Sequence, residues 1–189
     1  MMEFKKNIYQ KVWRKVGGMW RICCNFDPEN DFYIDVRMRF LGNIEAKTDV
    51  KGRAFLPAVF RKELQQAGEE ALVLRKDVFQ DCLVLYPESV WNSQMDELRH
   101  RLNRWNAAHQ QVYRQFVSEV ERITLDGNGR FLIPKRYLKM AAIVQEIKFI
   151  GMGDTIEIWS KPSVEEQLMK ADEFKSAIEN LMEEHPWEK

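Results

Sequence analysis

Between Phe40 and Trp159 the apolar residues come in short runs separated by glycine, proline and aspartate, and the order of runs occurs twice. Phe40, Gly42, Ile44 and Ala46 alternate with polar neighbours as a strand does. Asp49-Val50-Lys51-Gly52 then reads as a tight turn. Aspartate can accept from backbone amides two residues on, and glycine adopts positive φ at little cost. Arg53 leaves that turn at the start of a short strand, Ala54–Leu56, which ends at Pro57. Proline suits the first position of a helix, so Ala58–Leu64 is expected to be helical. Strands at Ala71–Leu74 and Cys82–Tyr86 follow. The second pass has the strand Phe131–Ile133, Pro134, a helix over Lys135–Met140, and strands at Glu146–Ile150 and Thr155–Trp159.

The two passes are in register. Asp49 matches Asp126, a step of 77 (126 − 49), and the same step takes Gly52 to Gly129, Arg53 to Arg130, Leu56 to Ile133, Pro57 to Pro134 and Phe60 to Tyr137. Six matches in one frame make an internal repeat. One such unit is too small to bury a good core, whereas two can do so together. A single β-barrel-like body made of both repeats is expected, with a helical insertion between them.

The insertion spans Pro87–Ser118. Trp91, Met95, Leu98, Leu102 and Trp105 recur at steps of four and three, a stripe on one helix face, opposite Asp96, Glu97, Arg99, Arg101 and Arg104. A second helix from about residue 107 to 117 is expected to turn Val112 and Phe116 inward. The stripe packs on the chain's own barrel or forms a subunit interface, and the two are compatible. Ser163–Glu184 reads as one amphipathic helix with Val164, Leu168, Ala171, Ile178 and Leu181 on one face and an acidic end. Residues 1–37 match neither repeat. Their mixture of Lys5, Lys6, Lys11, Trp13, Arg14, Lys15 and Trp20 is compatible with a basic arm touching DNA, a disordered or weakly docked extension, or a true start of translation at Met38.

Composition narrows the function. Apolar residues are 45% of the 189, enough for a packed core, while Lys plus Arg and Asp plus Glu are both 29. A chain of zero net charge is not a bulk coat for nucleic acid, so any DNA reading rests on a few placed arginines. Cys23, Cys24 and Cys82 have neither a C-x-x-C nor a zinc spacing, which suits a reduced cytosol. No apolar run is long enough for a bilayer, and Val16–Trp20 followed by Arg21 makes a poor secretory signal. His100, His109 and His185 lie outside the repeats with no nucleophile or carboxylate in a recognisable arrangement, and there is no H-E-x-x-H or P-loop. An enzyme is not expected, nor any cofactor or metal. An acid pair of Asp49 and Asp126 is the remaining catalytic reading.

Two D-x-x-G-R motifs, each followed by a short apolar run and proline, with L-V-L-Y-P after the first and I-E-I-W after the second, resemble the MraZ family, relatives of the AbrB and SpoVT regulators. The resemblance covers roughly Met38 to Trp159; the N-terminal extension departs from it. It implies an α+β chain, mainly β with helices: a double swapped-hairpin barrel with repeats at residues 43–90 and 120–163, an insertion at 91–119, and a C-terminal helix and tail at 164–189. It further implies a cytoplasmic, nucleoid-associated repressor of the division and cell-wall gene cluster. Such a repressor is a ring-shaped homo-oligomer on short G-rich direct repeats of promoter DNA. By motif match, Asp49 and Arg53, and Asp126 and Arg130, are the DNA-contacting residues.

Arginine donates bidentately to O6 and N7 of guanine, and a β-ribbon can carry it into the major groove. The aspartate is expected to hold the turn and aim the arginine. Lys51 sits in the first turn and its counterpart Asn128 is uncharged, so the first turn is expected to bind more strongly. Arg61, Lys62, Lys135 and Arg136 are candidate phosphate contacts, which position without specifying. Two alternatives stand beside this: an Asp–Arg pair that only stabilises the turn, and an interaction ring that has lost DNA binding.

Overall fold

A computed structural model of the chain describes residues 38–184 together with two strands of the N-terminal segment, β1 (Val12–Val16) and β2 (Met19–Cys23), which pair antiparallel with Val12 opposite Cys23. β1 and β2 belong to one unit of the chain and residues 38–184 to another. The other positions of 1–37, including Lys5, Lys6 and Lys11, lie outside the described residues, as does the tail after Glu184.

The second unit builds the repeat twice. The first copy is β3 (Asn43–Lys47), β4 (Arg53–Phe55), α1 (Ala58–Ala67), β5 (Ala71–Lys76) and β6 (Leu83–Pro87). The insertion follows as α2 (Glu88–Arg101) and α3 (Ala107–Ser118). The second copy is β7 (Val120–Thr124), β8 (Arg130–Leu132), α4 (Lys135–Met140), β9 (Glu146–Gly151) and β10 (Ile156–Ser160). Two helices close the chain, α5 (Lys161–Gln167) and α6 (Ala171–Glu184).

Backbone pairing makes the two copies exchange strands. The order in the larger sheet is β3-β9-β10-β6-β5-β7, all antiparallel neighbours. The first copy's β3 pairs with the second copy's β9, Ala46 opposite Ile147, and the second copy's β7 pairs with the first copy's β5, Ile123 opposite Leu72. β4 and β8 form a separate two-stranded ribbon centred on Ala54 opposite Phe131. The ribbon is extended reciprocally: Leu56 N–H donates to the Gly129 carbonyl at 3.0 Å, and Ile133 N–H to that of Gly52 at 2.9 Å. Residues one repeat apart thus swap roles about a pseudo-two-fold. The ladder does not close into one barrel among the described residues, because the turns at Asp49 and Asp126 carry the chain out of the sheet before it re-pairs in the ribbon.

Alternation sorts the side chains of β5 and β6 to two apolar layers. Leu72, Leu74, Leu83 and Leu85 face the main core, with Ile147, Phe149, Ile156 and Ile158, capped by Phe60 and Leu64 of α1 and Tyr137 of α4. Val73, Val84 and Tyr86 face the other way, onto Trp91 of α2, Trp159 and Val164, with Met95 and Phe116 against them. Both faces of the sheet are therefore covered, which explains why its central strands read as continuous apolar runs. Pro57 and Pro134 stand one place earlier than expected, as N-caps with extended backbone, and their carbonyls still accept from Arg61 and Leu138 at 3.0 and 3.3 Å.

Three helical expectations are corrected. The stripe from Trp91 does not reach Trp105, because α2 ends at Arg101 and Leu102 is extended. Asn103 Oδ1 accepts from Trp105 N–H at 2.9 Å and Asn106 caps α3 through His109 N–H at 3.1 Å, so the two asparagines turn the chain and leave Trp105 95% exposed. In α3, Phe116 packs inward while Val112 stays on the surface. The C-terminal helix is two helices, broken at the extended Leu168; only Val164 of the expected face is buried, and no glycine or proline marks the break.

Candidate nucleic-acid interface

The two turns are built alike, bond for bond. Asp49 N–H donates to the Arg53 carbonyl at 2.8 Å and Gly52 N–H to the Asp49 carbonyl at 2.9 Å. Asp49 Oδ1 accepts from the amides of Lys51 and Arg53, both at 2.9 Å, and Oδ2 from Arg53 Nε at 2.7 Å. In the second turn Asp126 takes the amides of Asn128 and Arg130 at 2.9 Å and Arg130 Nε at 2.8 Å. The Arg53 amide, then its guanidinium and the Lys51 amide, hold the Asp49 carboxyl below its ordinary range. The Arg130 amide leads the same set at Asp126. Each aspartate is thus kept anionic and its turn closed.

The arginines share a surface. Arg53 stands opposite Leu132 and Arg130 opposite Phe55, while Ala54 and Phe131 between them are buried. With a period of two along each strand, Arg53, Phe55, Arg130 and Leu132 all point outward from one face of the ribbon. Both guanidiniums are partly exposed. Only Nε of each is hydrogen-bonded among the described residues, which leaves the Nη donors of both without a partner there. Phe55 and Leu132 are 56% and 50% exposed, and the Arg130 guanidinium lies 5.7 Å from the Phe55 ring centre. Sequence reasoning missed both apolar members of this face, although counting two residues on from each arginine reaches them.

The flanking cations divide. Lys51 and its counterpart Asn128 are exposed at the turn tips, as are Lys62 and Lys135 on α1 and α4. Arg61 is held: its Nε donates to the Leu56 carbonyl at 3.1 Å. Arg136 is paired with Glu121 at 2.6 Å and also donates to the Tyr137 hydroxyl at 3.2 Å. Of the histidines, His100 Nδ1 lies 2.6 Å from the Asp96 carbonyl and His109 Nδ1 accepts from the Asn103 amide at 2.9 Å; His185 is outside the described residues. Among the described residues no group of three or more His, Cys, Asp or Glu is placed to hold a metal, and no helix is long and apolar enough to cross a membrane.

Comparison with known proteins agrees with this two-copy layout. The family model described as "MraZ protein, putative antitoxin-like" matches residues 39–115 and again 116–183. A protein of Phocaeicola vulgatus named Transcriptional regulator MraZ is 66% identical over 145 residues, 77% of this chain and 94% of that one. Proteins of the same name from Bacteroides fragilis and Christiangramia forsetii are 60% and 34% identical over 147 and 146 residues, each with more than nine-tenths of its length covered. With the model matched once per repeat and relatives this similar along nearly their whole length, the chain belongs to the MraZ family.

Proposed function

We propose that this chain is a sequence-specific DNA-binding transcriptional regulator that presents Arg53 and Arg130 to base edges from one face of the β4–β8 ribbon. The observation that carries the reading is the pair of identical Asp-clamped turns, each leaving its arginine's Nη donors outward on a common surface. A bidentate guanidinium matches the O6 and N7 acceptors of guanine, so G-rich sites fit this reader. The exposed apolar Phe55 and Leu132 suit contact with thymine methyls or sugar edges between the two arginines. The transcriptional regulators to which the chain is similar support the same function.

The finer reading follows from the resemblance. The strand exchange between copies supports a body of the swapped-hairpin type. The target is the promoter of the division and cell-wall cluster, with repression as the outcome, in the cytoplasm at the nucleoid. One or two bidentate contacts supply about 1–3 kcal/mol of discrimination each, too little to select a promoter. Several copies in a ring-shaped homo-oligomer on short direct repeats would make later contacts intramolecular and so supply the rest.

The test is a gel shift on DNA upstream of the chain's own gene, with oligomer mass measured by sedimentation. Arg53→Ala and Arg130→Ala are each expected to weaken the shift, and the double variant to abolish it at concentrations where wild type is saturated. Undiminished binding by the double variant would mean that the turn arginines are not the readers, and no shift by wild type would leave an interaction ring as the reading. A wild-type monomer that binds its site tightly would refute the ring.

A further inference from the structure

The second layer of the fold contains a buried charge with no ion pair among the described residues. Arg75 lies on the Val73 side of β5, under α3, and is 6% exposed. Its guanidinium stands 4.2 Å from the centre of the Phe116 ring and 5.8 Å from that of Trp91, two rings that are themselves stacked at 5.0 Å. Its Nε is buried without a hydrogen-bond partner. Among the described residues no ion pair includes it. Aromatic faces offset part of a buried cation's lost hydration, but a guanidinium with an orphaned donor still calls for an anion.

A cavity of about 350 Å³ opens on this group, within the size range of small-molecule sites. Its walls are Val78, Val112 and Phe116, with the Gln115 amide beside them. The neighbouring charged groups have partners other than Arg75. Lys76 Nζ binds Asp81 at 3.0 Å and the Gln80 carbonyl at 2.6 Å, and Asp77 Oδ1 accepts from the amides of Phe79 and Gln80. Glu119 is exposed on the cavity lining and is the one nearby carboxylate without a bond among the described residues.

We propose that this cavity binds a small organic carboxylate, its anionic end on Arg75 and its apolar body against Val112 and Phe116. A mineral anion fits less well, because most of the wall is apolar. The site lies apart from the ribbon but not independent of it. Arg75 is paired across the sheet with Val120, the first residue of β7, and β7 leads directly to the Asp126 turn. An occupant is therefore placed to bias the strand that leads into the second arginine's turn, which is how an effector would act.

Benzoate is a suitable probe, read by titration calorimetry on the full chain without DNA, so that the outcome is independent of the DNA reading. Saturable binding of one benzoate per chain is expected. Benzamide, with the same shape and no charge, and acetate, with the charge and no ring, should each bind at least about tenfold more weakly. Arg75→Met should lose the site, with circular dichroism checking the fold. Gln115→Trp, an exposed change that fills the cavity and leaves Arg75 in place, should lose it as well. The proposal is overturned if benzoate does not saturate wild type, if benzamide binds equally, or if both variants bind as wild type does. Binding confined to Glu119→Gln would overturn it too, by making Glu119 the partner of Arg75. So would wild type that ignores benzoate while Arg75→Met loses its oligomeric mass, since the carboxylate would then belong to a second copy of the chain.

Discussion

Arg61, on the first copy's helix α1, lies across Gly129 in the second copy's turn so closely that a Cβ there would stand 2.5 Å from its Nη1 and 2.6 Å from its Cδ. The equivalent Gly52 meets something harder: a Cβ would fall 2.7 Å from the backbone carbonyl oxygen of Ile133. Both glycines have positive φ, +85° and +78°, at which a side chain costs about 1–2 kcal/mol. Arg61 can swing away, but Ile133 is backbone held in place by its own N–H bond to the Gly52 carbonyl, so its carbonyl cannot. Gly129→Ala should therefore cost about 1–2 kcal/mol, and Gly52→Ala about 2–4 kcal/mol. Urea denaturation of the two variants checks the order; equal losses would mean that the ribbon yields as easily as a side chain.

The turn tips differ by one charge, Lys51 against Asn128. If Lys51 meets a phosphate, Lys51→Asn should reduce the slope of log K against log salt by about 1, and Asn128→Lys should raise it by a similar amount. Neither change should move the thermal midpoint measurably, since both positions are exposed. Anisotropy titrations at several salt concentrations give the slopes; an unchanged slope in both variants would place the turn tips away from the DNA backbone.

Arg136 was expected among the phosphate contacts and is found paired with Glu121. That pair is exposed, so it contributes about 0–1 kcal/mol to stability. Glu121→Gln should release the guanidinium, leave the fold intact, and tighten binding to random-sequence DNA with a steeper salt dependence. If binding to random DNA is unaltered, α4 does not face the duplex.

Much of this architecture is legible in the primary structure, for a physical reason. The turn, the strand and the proline are local devices, written at Asp49, Gly52, Arg53 and Pro57 and again 77 residues on, so their positions follow from residue types alone. The helix over Lys135–Met140 is found where the pattern puts it. Pairing partners are another matter. Ala46 meets Ile147 across a hundred residues, and no local signal states that strands are exchanged between copies. The end of α2 is an intermediate case: the apolar stripe continues to Trp105, but Asn103 and Asn106 offer the backbone competing hydrogen bonds and prevail. Arg75 carries no local signal of its burial, since one arginine just past an apolar strand has the pattern of a solvent-facing terminus, and only the packing of α3 covers it.

Acid should act on the turns before it acts on the core. Asp49 and Asp126 have carboxyls held below their ordinary value, chiefly by the amides of Arg53 and Arg130. The order they impose is fully present above about pH 4, the ordinary aspartate value, and is lost as pH falls through the lowered folded value. The amide proton shifts of Lys51, Arg53, Asn128 and Arg130 should stay constant from neutrality to about pH 5 and then move with a midpoint below that of an aspartate peptide. Asp49→Asn should abolish the transition in the first turn alone. A midpoint at the peptide value would mean that the clamp does not favour the anion.

The reciprocal bonds that join Leu56 to Gly129 and Ile133 to Gly52 make one polypeptide do what a pair of identical subunits would otherwise do. Identical subunits must carry every substitution in both halves at once, and so are tied to targets that read the same in both directions. Covalent duplication removes that tie. One half can keep a lysine where the other keeps an asparagine, and under the proposed function each arginine could settle on its own base, which would suit the chain to a site with a left and a right.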